Sequence, residues 1–507
     1  MSSRLVRGLR VQVASYNAGE QYDGSKVPDL TEWLVPTLTE SRRSGYVTRP
    51  APPSGPDAMG PREAPDIYAV AFQEFAPLSS ALAGQIQVPL AKVDTEIRRT
   101  VRLHQSVVRD DHMYDPLEMG GGPENYAKIA EVSHGGLVLF VYARERAPQH
   151  ARGIVLSAAQ RVKEVRTSYV GTGIGMIMGN KGAVGARVTL ASAVTGARDE
   201  VITFVCAHLA AHDHKVARRN ADWRNIVERL VFDPASTQPP LVLQEPTMGP
   251  GQLGAVQSVA AGRQTLTPSP LDQHEYSLYD THHLFVLGDL NYRVATGVEG
   301  VSPQGVPVRP GSFPPITRET VRAAARSFQP SQWAEILPYD QLSIERAAVP
   351  ARTMHSLFIP DMAHLKIPPT YKYKAGGEME QMSKKRLPGW PDRLLWASSD
   401  AMQGNEALRC ELYRSLMRYT ASDHKPITAI VELPYQLDPL TEFLPVPYDL
   451  HPYWRSMRTL GRCVDRLVGY LWMLLLTFGH GHLALALLEI GLLVLVAMYW
   501  LPGHWPW

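Results

Sequence analysis

Cysteine is scarce in this 507-residue chain: Cys206, Cys410 and Cys463 are few, odd in number and far apart. That argues against a disulfide framework or a zinc site and for a reducing, cytosolic setting. A dominant charge is lacking too. Against 51 Lys and Arg stand 49 Asp and Glu, a formal net charge of +2. No global field therefore recruits nucleic acid, and any anion site must come from local placement of Lys and Arg. The N-terminus "MSSRLVRGLRVQVASYNAG" has no long apolar run, because Arg4, Arg7 and Arg10 interrupt it, so no secretory signal is implied. No internal repeat is found.

What is present is enough apolar material, 45% of residues, for one substantial core with additions. Short β-type runs recur: "LRVQVASYN", "DIYAVAFQE", "HGGLVLFVYA", "VGARVTLA", "VITFVCAH", "HLFVLGDLN" and "PITAIVEL". Some are apolar throughout and others alternate, while helical patterns such as "SSALAGQIQVPLAKVDTEIRR" fall between them. The pattern predicts an α/β protein with helix-covered sheets. Residues 41–65 and 233–275 are rich in Pro, Gly, Ser and Gln and read as mobile surface insertions within one domain, with 295–316 a further candidate.

The C-terminus has a different composition. "LALALLEIGLLVLVAMYWL", 483–501, is apolar except for Glu489 and is about the 20 residues a helix needs to cross a hydrocarbon core. The run at 467–478, "LVGYLWMLLLTF", is too short to cross alone; it either lies in the interface or forms half of a hairpin. Arg455, Arg458, Arg462 and Arg466 precede the apolar region and no Lys or Arg follows it, which predicts a domain kept on the cytosolic side. The competing reading is a buried core helix, since Glu489 in a span costs about 2–3 kcal/mol or more. The expected organisation is a catalytic domain over 1–435, a basic juxtamembrane linker over 436–466 and a membrane anchor over 467–507.

Polar residues collect at the ends of the apolar runs. "VASYN" ends in Asn17, "YAVAFQE" in Gln73 and Glu74, "TFVCAH" in His208 with His212 soon after, and "LFVLGDLN" in Asp289 and Asn291. Asp423 and His424 stand just before "KPITAIVEL". Side chains at i and i+2 of a strand share a face, so Asp289 and Asn291 are expected to project together, one as a base and one as a hydrogen-bond donor. Each residue also has a plainer reading: an Asx turn for Asp289 and Asn291, a satisfied buried histidine for His208, a loop brace for Asn17, Gln73 or His212, a solvated charge for Glu74, a cap for Asp423. Their joint appearance at strand termini is what favours a site.

The segments "SYNAG", "AFQE", "GIGMIMGNKGAVG", "CAHLAAH", "FVLGDLNYR", "PPTYKYK", "KKRLPGWPDRLLW" and "SDHKPI" follow the order and spacing of the inositol polyphosphate 5-phosphatases. The resemblance covers nearly everything from 9 to 433. It implies the DNase I-like fold, a four-layer sandwich of two mixed sheets flanked by helices, and a Mg²⁺ cofactor. By the same resemblance Glu74 is the main Mg²⁺ ligand with Asn17 beside it, Asp289 the base that activates water, and Asn291 a donor to the scissile phosphate. His424 binds phosphoryl oxygens, Asp392 orients it, His208 lines the phosphate pocket and Asp423 lies beside metal and water. Tyr371, Lys384 and Arg386 match a clamp for the neighbouring 4-phosphate, and Asn180 and Lys181 a loop near the 1-phosphate. Read without the resemblance, "KYK" and "KKR" are solvated charge.

The chain departs from the family at Tyr16 and Glu20, where the pattern has Trp and Gly, at Cys206–Ala207 in place of Asn-Ser, at Pro391 in place of Cys, and at Ile177 in place of a basic residue. The last bears on headgroup preference. The implied activity is removal of the 5-phosphate from phosphatidylinositol 4,5-bisphosphate, with the lipid and a membrane as partners, no nucleic acid, and the endoplasmic reticulum as the expected membrane. A nuclease or sphingomyelinase of the same fold and a non-catalytic phosphoinositide tether are the alternatives. Oligomeric state is not legible.

Overall fold

The computed structural model describes residues 8–22, 27–35, 64–110, 124–146, 156–192, 198–237, 273–302, 309–348, 354, 356–358, 360, 362, 365–399, 408–433, 442–479 and 483–500. The expected insertions therefore fall almost wholly outside the described residues, at 41–63 and 238–272. The strands run β1 (Arg10–Asn17), β2 (Ile67–Gln73), β3 (Tyr126–His134), β4 (Leu137–Arg144), β5 (Val162–Gly171), β6 (Gly182–Leu190), β7 (Glu200–His208), β8 (His283–Asp289), β9 (Asp392–Ser398), β10 (Arg409–Ser415) and β11 (Ile427–Glu432). The helices run α1 (Thr31–Leu34), α2 (Leu78–Ala83), α3 (Gln87–Asp110), α4 (Ala158–Arg161), α5 (Val216–Arg229), α6 (Arg318–Arg326), α7 (Pro330–Ile336), α8 (Gln341–Ala348), α9 (Trp454–Phe478) and α10 (Leu483–Trp500).

The strands form two mixed sheets, ordered β10-β11-β1-β2-β4-β3 and β5-β6-β7-β8-β9. Strands β1, β2, β4, β7, β8 and β9 are buried at every residue, which suits the largely apolar runs of β2, β4, β7 and β8. Edge strands β3, β5 and β10 are only partly buried and carry Lys128, Glu131, Lys163, Glu164, Arg409 and Glu411, charges that blunt an open edge.

Between the sheets lies the main core: Val11, Val13, Ile67, Ala69, Leu139 and Val141 from one side, Val184, Val188, Phe204, Phe285, Leu287 and Leu394 from the other. Trp33 of α1 and Leu90, Val93 and Ile97 of α3 cover the outer face of the first sheet, against Tyr16, Val70 and Phe72. Trp223, Ile226 and Val227 of α5 cover the second, against Val205, Leu284 and Val286. Helix, sheet, sheet, helix is the expected four-layer sandwich.

One polar bridge crosses the main core. Gln73 Nε2 donates to Ser15 Oγ (3.1 Å) in its own sheet and to Cys206 Sγ (3.2 Å) in the other, and the thiol donates to Phe72 O (3.3 Å). Burial pushes the Cys206 thiol up to about 12, so it packs rather than reacts.

The C-terminus corrects the expected anchor. Among the described residues no helix is long and apolar enough to cross a membrane. The described part of helix α10 has 18 residues, and position 501, the last of the expected span, lies outside the described residues. Ahead of it, α9 runs unbroken across the expected 466/467 border and packs on α2. Leu460, Leu467, Leu471, Leu474 and Phe478 of α9 and Leu487, Leu488, Leu492 and Leu495 of α10 are exposed.

Candidate active site

Each sheet holds one parallel pair, β1–β2 and β7–β8, and the ends of the two pairs meet. Registers place Asn17 opposite Gln73, His208 opposite Asp289, and Asp289 opposite Asp392. Asn17 Nδ2 closes the gap between the sheets, donating to Asp289 Oδ2 at 3.0 Å. The approach of β7 to β8 depends on Gly288: its φ is +143°, and a Cβ there would lie 1.9 Å from Ala207 O.

Asp289 is the hub. Its Oδ2 lies 3.3 Å from His208 Nε2 and 3.8 Å from His424 Nε2, and its Oδ1 accepts the Asn291 N–H at 3.0 Å. Burial pushes the Asp289 carboxyl up, but the charge on His424, the His208 hydrogen bond and the Arg293 guanidinium outweigh it and hold the group below the usual carboxylate range. On the far side of His424, both Asp392 oxygens face Nδ1 at 3.1 and 3.0 Å, and Thr370 Oγ1 donates to Asp392 at 2.5 Å. Burial would lower the His424 pKa; Asp392 and Asp289 reverse this and raise it to about 9. Asp392 is pushed up by burial against the pull of His424, so Asp289 is the more firmly ionised carboxylate. The result is an imidazolium held between two acids.

Asn291 requires a correction. It is not a strand neighbour of Asp289 on a shared face, because β8 ends at Asp289 and Asn291 is in the left-handed region (φ 58°). The two are joined by an Asx turn, and Asn291 Nδ2 donates to Leu209 O (3.0 Å) while Arg293 donates to its Oδ1. Catalytic and turn readings describe the same two residues.

Glu74 leaves β2 in the left-handed region (φ 46°) and reaches an open cleft of about 780 Å³, also lined by Gly19, Lys372, Lys384 and Asp423. Its carboxylate is half-exposed, with Lys181 Nζ at 3.9 Å and His208 Nε2 at 3.8 Å, beyond hydrogen-bond distance. Lys181 Nζ lies 2.9 Å from His208 Nε2, and burial lowers its pKa against the pull of Glu74 and Asp289.

Among the described residues, two places could take a metal. Asp289, Asp392 and His424 offer ligand atoms within 4.8 Å of one another. A protonated His424 has no lone pair to give, and the three groups already balance one another's charge. Glu74 fits better: its oxygens are uncommitted, and Asn17 Oδ1, which accepts the Gly19 N–H at 3.2 Å, keeps a second lone pair. A hard cation that retains waters and needs few protein oxygens suits that set.

The remaining expected residues divide. Lys384 lines the cleft, whereas Arg386 is exposed and directs Nη2 at His212 Nδ1 (3.2 Å). Tyr371 packs its ring against His424 (centroids 4.5 Å apart) and under the Arg293 guanidinium (4.1 Å). Asp423 pairs with Lys372 and lies 4.0 Å from His424 Nε2. Asn180 Oδ1 accepts the Ile174 N–H at 3.2 Å and braces its own loop. Sequence reasoning missed Lys372, Arg293 and Thr370. All three sit inside quoted motifs, yet Lys372 reads as solvated charge until Asp423 is seen beside it.

The ionised Asp289, a clamped imidazolium and a partly buried ammonium next to Glu74 at the cleft make a site for an anion and the water that attacks it, the requirement of phosphate-ester hydrolysis. The chain belongs to the family described as Endonuclease/Exonuclease/phosphatase family 2, whose model matches residues 14–430. Among its curated relatives, the type II inositol 1,4,5-trisphosphate 5-phosphatase of Mus musculus is 27% identical over 372 residues, 73% of this chain and 27% of that protein. Phosphatidylinositol 3,4,5-trisphosphate 5-phosphatase 1 of Xenopus laevis is 28% identical over 277 residues, 53% of this chain and 20% of that protein. The chain thus spans about a quarter of the length of these relatives. In fold it is similar to the inositol polyphosphate 5-phosphatase domain of SPsynaptojanin, a structure that contains inositol (1,4)-bisphosphate and a calcium ion. The TM-score is 0.51 at 19% identity, with 91% of this chain and 90% of that one covered.

Proposed function

We propose that the chain is a phosphoinositide 5-phosphatase that converts phosphatidylinositol 4,5-bisphosphate to phosphatidylinositol 4-phosphate with Mg²⁺. The observation that carries the reading is the convergence of Asn17, Glu74, His208, Asp289, Asp392 and His424 from separate segments. The names of its relatives set the substrate class, and the inositol (1,4)-bisphosphate in the similar domain is what removal of a 5-phosphate from the 1,4,5-trisphosphate leaves.

In this reading Asp289 orients the attacking water and takes its proton as the new P–O bond forms and the bond to the inositol oxygen breaks. The transition state is loose, so holding the water in line matters more than the carboxylate's basicity, which its low pKa limits. His424, kept charged by Asp392, donates to a phosphoryl oxygen, Lys181 adds positive charge to the same pocket, and His208 lines it. Glu74 with Asn17 would hold the Mg²⁺, which supplies Lewis-acid neutralisation of phosphoryl charge. Lys372, Lys374, Lys384 and Lys385 along the cleft favour a multiply phosphorylated headgroup. The exposed leucines of α9 and α10 support contact with a lipid surface without crossing it, and the cytosolic face of the endoplasmic reticulum is the proposed place of action.

Phosphate release by the full chain from a panel of inositides in vesicles, with and without Mg²⁺, tests this. Release confined to 5-phosphorylated lipids and dependent on Mg²⁺ is expected. Hydrolysis of DNA or sphingomyelin, with every 5-phosphorylated lipid untouched, would replace the substrate assignment.

A further inference from the structure

Gly461, Asp465 and Gly469 recur every four residues along α9 and so lie on one face. Both glycines touch backbone: a Cβ at Gly461 would stand 2.4 Å from Ile177 O, and one at Gly469 2.2 Å from Ala83 N. Between them Asp465, 3% exposed, accepts the Gly179 N–H on both carboxylate oxygens, at 2.9 and 3.1 Å. Flanking arginines hold the helix down: Arg466 donates to Ala83 O, and Arg458 to Val231 O (2.6 Å), Ser168 Oγ (2.8 Å) and Asp233 Oδ2 (2.9 Å).

A carboxylate at this depth is costly. Burial pushes the Asp465 carboxyl up to about 6 despite the Gly179 N–H and Arg466, and the nearest imidazole, His134 Nε2 at 3.4 Å, is driven down to about 3 by its own burial and is neutral. What the carboxylate holds is a turn two residues ahead of Lys181, itself tied by Thr172 N–H to Lys181 O (2.8 Å) and Gly173 N–H to Met178 O (2.9 Å). Lys181 is the ammonium beside His208 and Glu74.

We propose that Asp465 is a positioning residue for the phosphate pocket: through Gly179 it fixes the turn that carries Lys181, so the seating of α9 sets how tightly the pocket holds the substrate's phosphate. The proposal rests on the phosphatase reading of the pocket and adds to it a residue from outside the segment that the family model matches. It also gives the C-terminal helix a task in the catalytic domain that does not involve a bilayer.

The test uses the full chain and water-soluble inositol 1,4,5-trisphosphate, so membrane contact plays no part. Asp465→Ala should raise KM about tenfold with kcat within about threefold, the scale of one lost charge-assisted contact. Asp465→Asn, which keeps the shape and one acceptor oxygen, should recover most of the loss. In a Lys181→Met background Asp465→Ala should add no further change, because its effect runs through that ammonium. Independently of activity, amide hydrogen exchange should accelerate over residues 172–182 in Asp465→Ala and stay as in wild type in the central strands. An unchanged KM, an additive effect in the Lys181→Met background, or exchange at 172–182 equal to wild type would each overturn the proposal. Absence of phosphate release by the wild-type chain would sink the substrate reading instead, and the exchange comparison would still decide the role of Asp465.

Discussion

In the proposed reading, the buried cluster around Asp289, a floor behind the cleft that Glu74 lines, and the exposed basic rim solve the same problem, holding phosphate, in opposite ways. On the floor, Asp289, His424, Asp392 and His208 are at most 4% exposed, and each is tied to at least one of the others. On the rim, Lys384, Lys385 and Arg386 are exposed side chains, and Arg386 has a single ring nitrogen of His212 beside it. Buried charges have no water to reorganise when charge develops at phosphorus, whereas solvated lysines only raise the local concentration of an anionic headgroup. Floor substitutions should therefore act on kcat and rim substitutions on KM.

The largest break in that contrast should come from Asp289→Asn, which keeps shape and removes the acceptor of the water's proton. Single-turnover hydrolysis should fall on the order of 10³-fold with substrate binding retained. Asp392→Asn should cost about 10–100-fold in kcat, the usual scale for losing a partner that orients and charges an imidazole. It also sharpens a pH prediction. With the His424 pKa raised to about 9, its contribution to stability is fully present below its ordinary value near 6.5 and is lost as pH rises through about 9. Activity that needs the imidazolium should show an alkaline limb there, and Asp392→Asn should move that limb to lower pH; a limb that stays in place would show that another group titrates.

Rim changes should be smaller. Lys384→Ala should raise KM for the lipid about tenfold or less and leave kcat within about threefold, read from initial rates on vesicles of varied lipid content. The smallest effect on chemistry should come from Gln73→Leu. It leaves Ser15 and Cys206 without their donor between the sheets, so the melting temperature should drop by the equivalent of about 1–3 kcal/mol while kcat stays near wild type. A large kcat loss with unchanged stability would move Gln73 from the core to the site.

Much of the floor was legible because the signal there is local. An apolar run that stops at Asn17, Gln73, His208 or Asp289 is a strand emerging from the core, and these four stop where the sheets end. The reasoning for Asn291 failed although the residue sits beside Asp289, since strand periodicity was carried two residues past the end of β8. Lys372 was invisible because its meaning depends on Asp423, 51 positions away. Asp465 was assigned to a basic linker, since nothing in "GRCVDRLVG" says that a backbone N–H from position 179 needs an acceptor. The hydropathy of 483–501 suggested a span, yet among the described residues no helix is long and apolar enough to cross a membrane.

By itself the sequence determined seven of the strands (β1, β2, β4, β6, β7, β8 and β11) and the polar residues at the ends of several of them, because burial and periodicity are written into neighbouring positions, whereas β3, β5, β9 and β10 were not read from it. Only the tertiary structure decided that Asn17 reaches Asp289 across two sheets, that His424 is charged because two acids flank it, and that a helix at 454–478 braces a turn at 179. Those relations join residues tens to hundreds of positions apart, and their energy exists only once packing has removed the water between them.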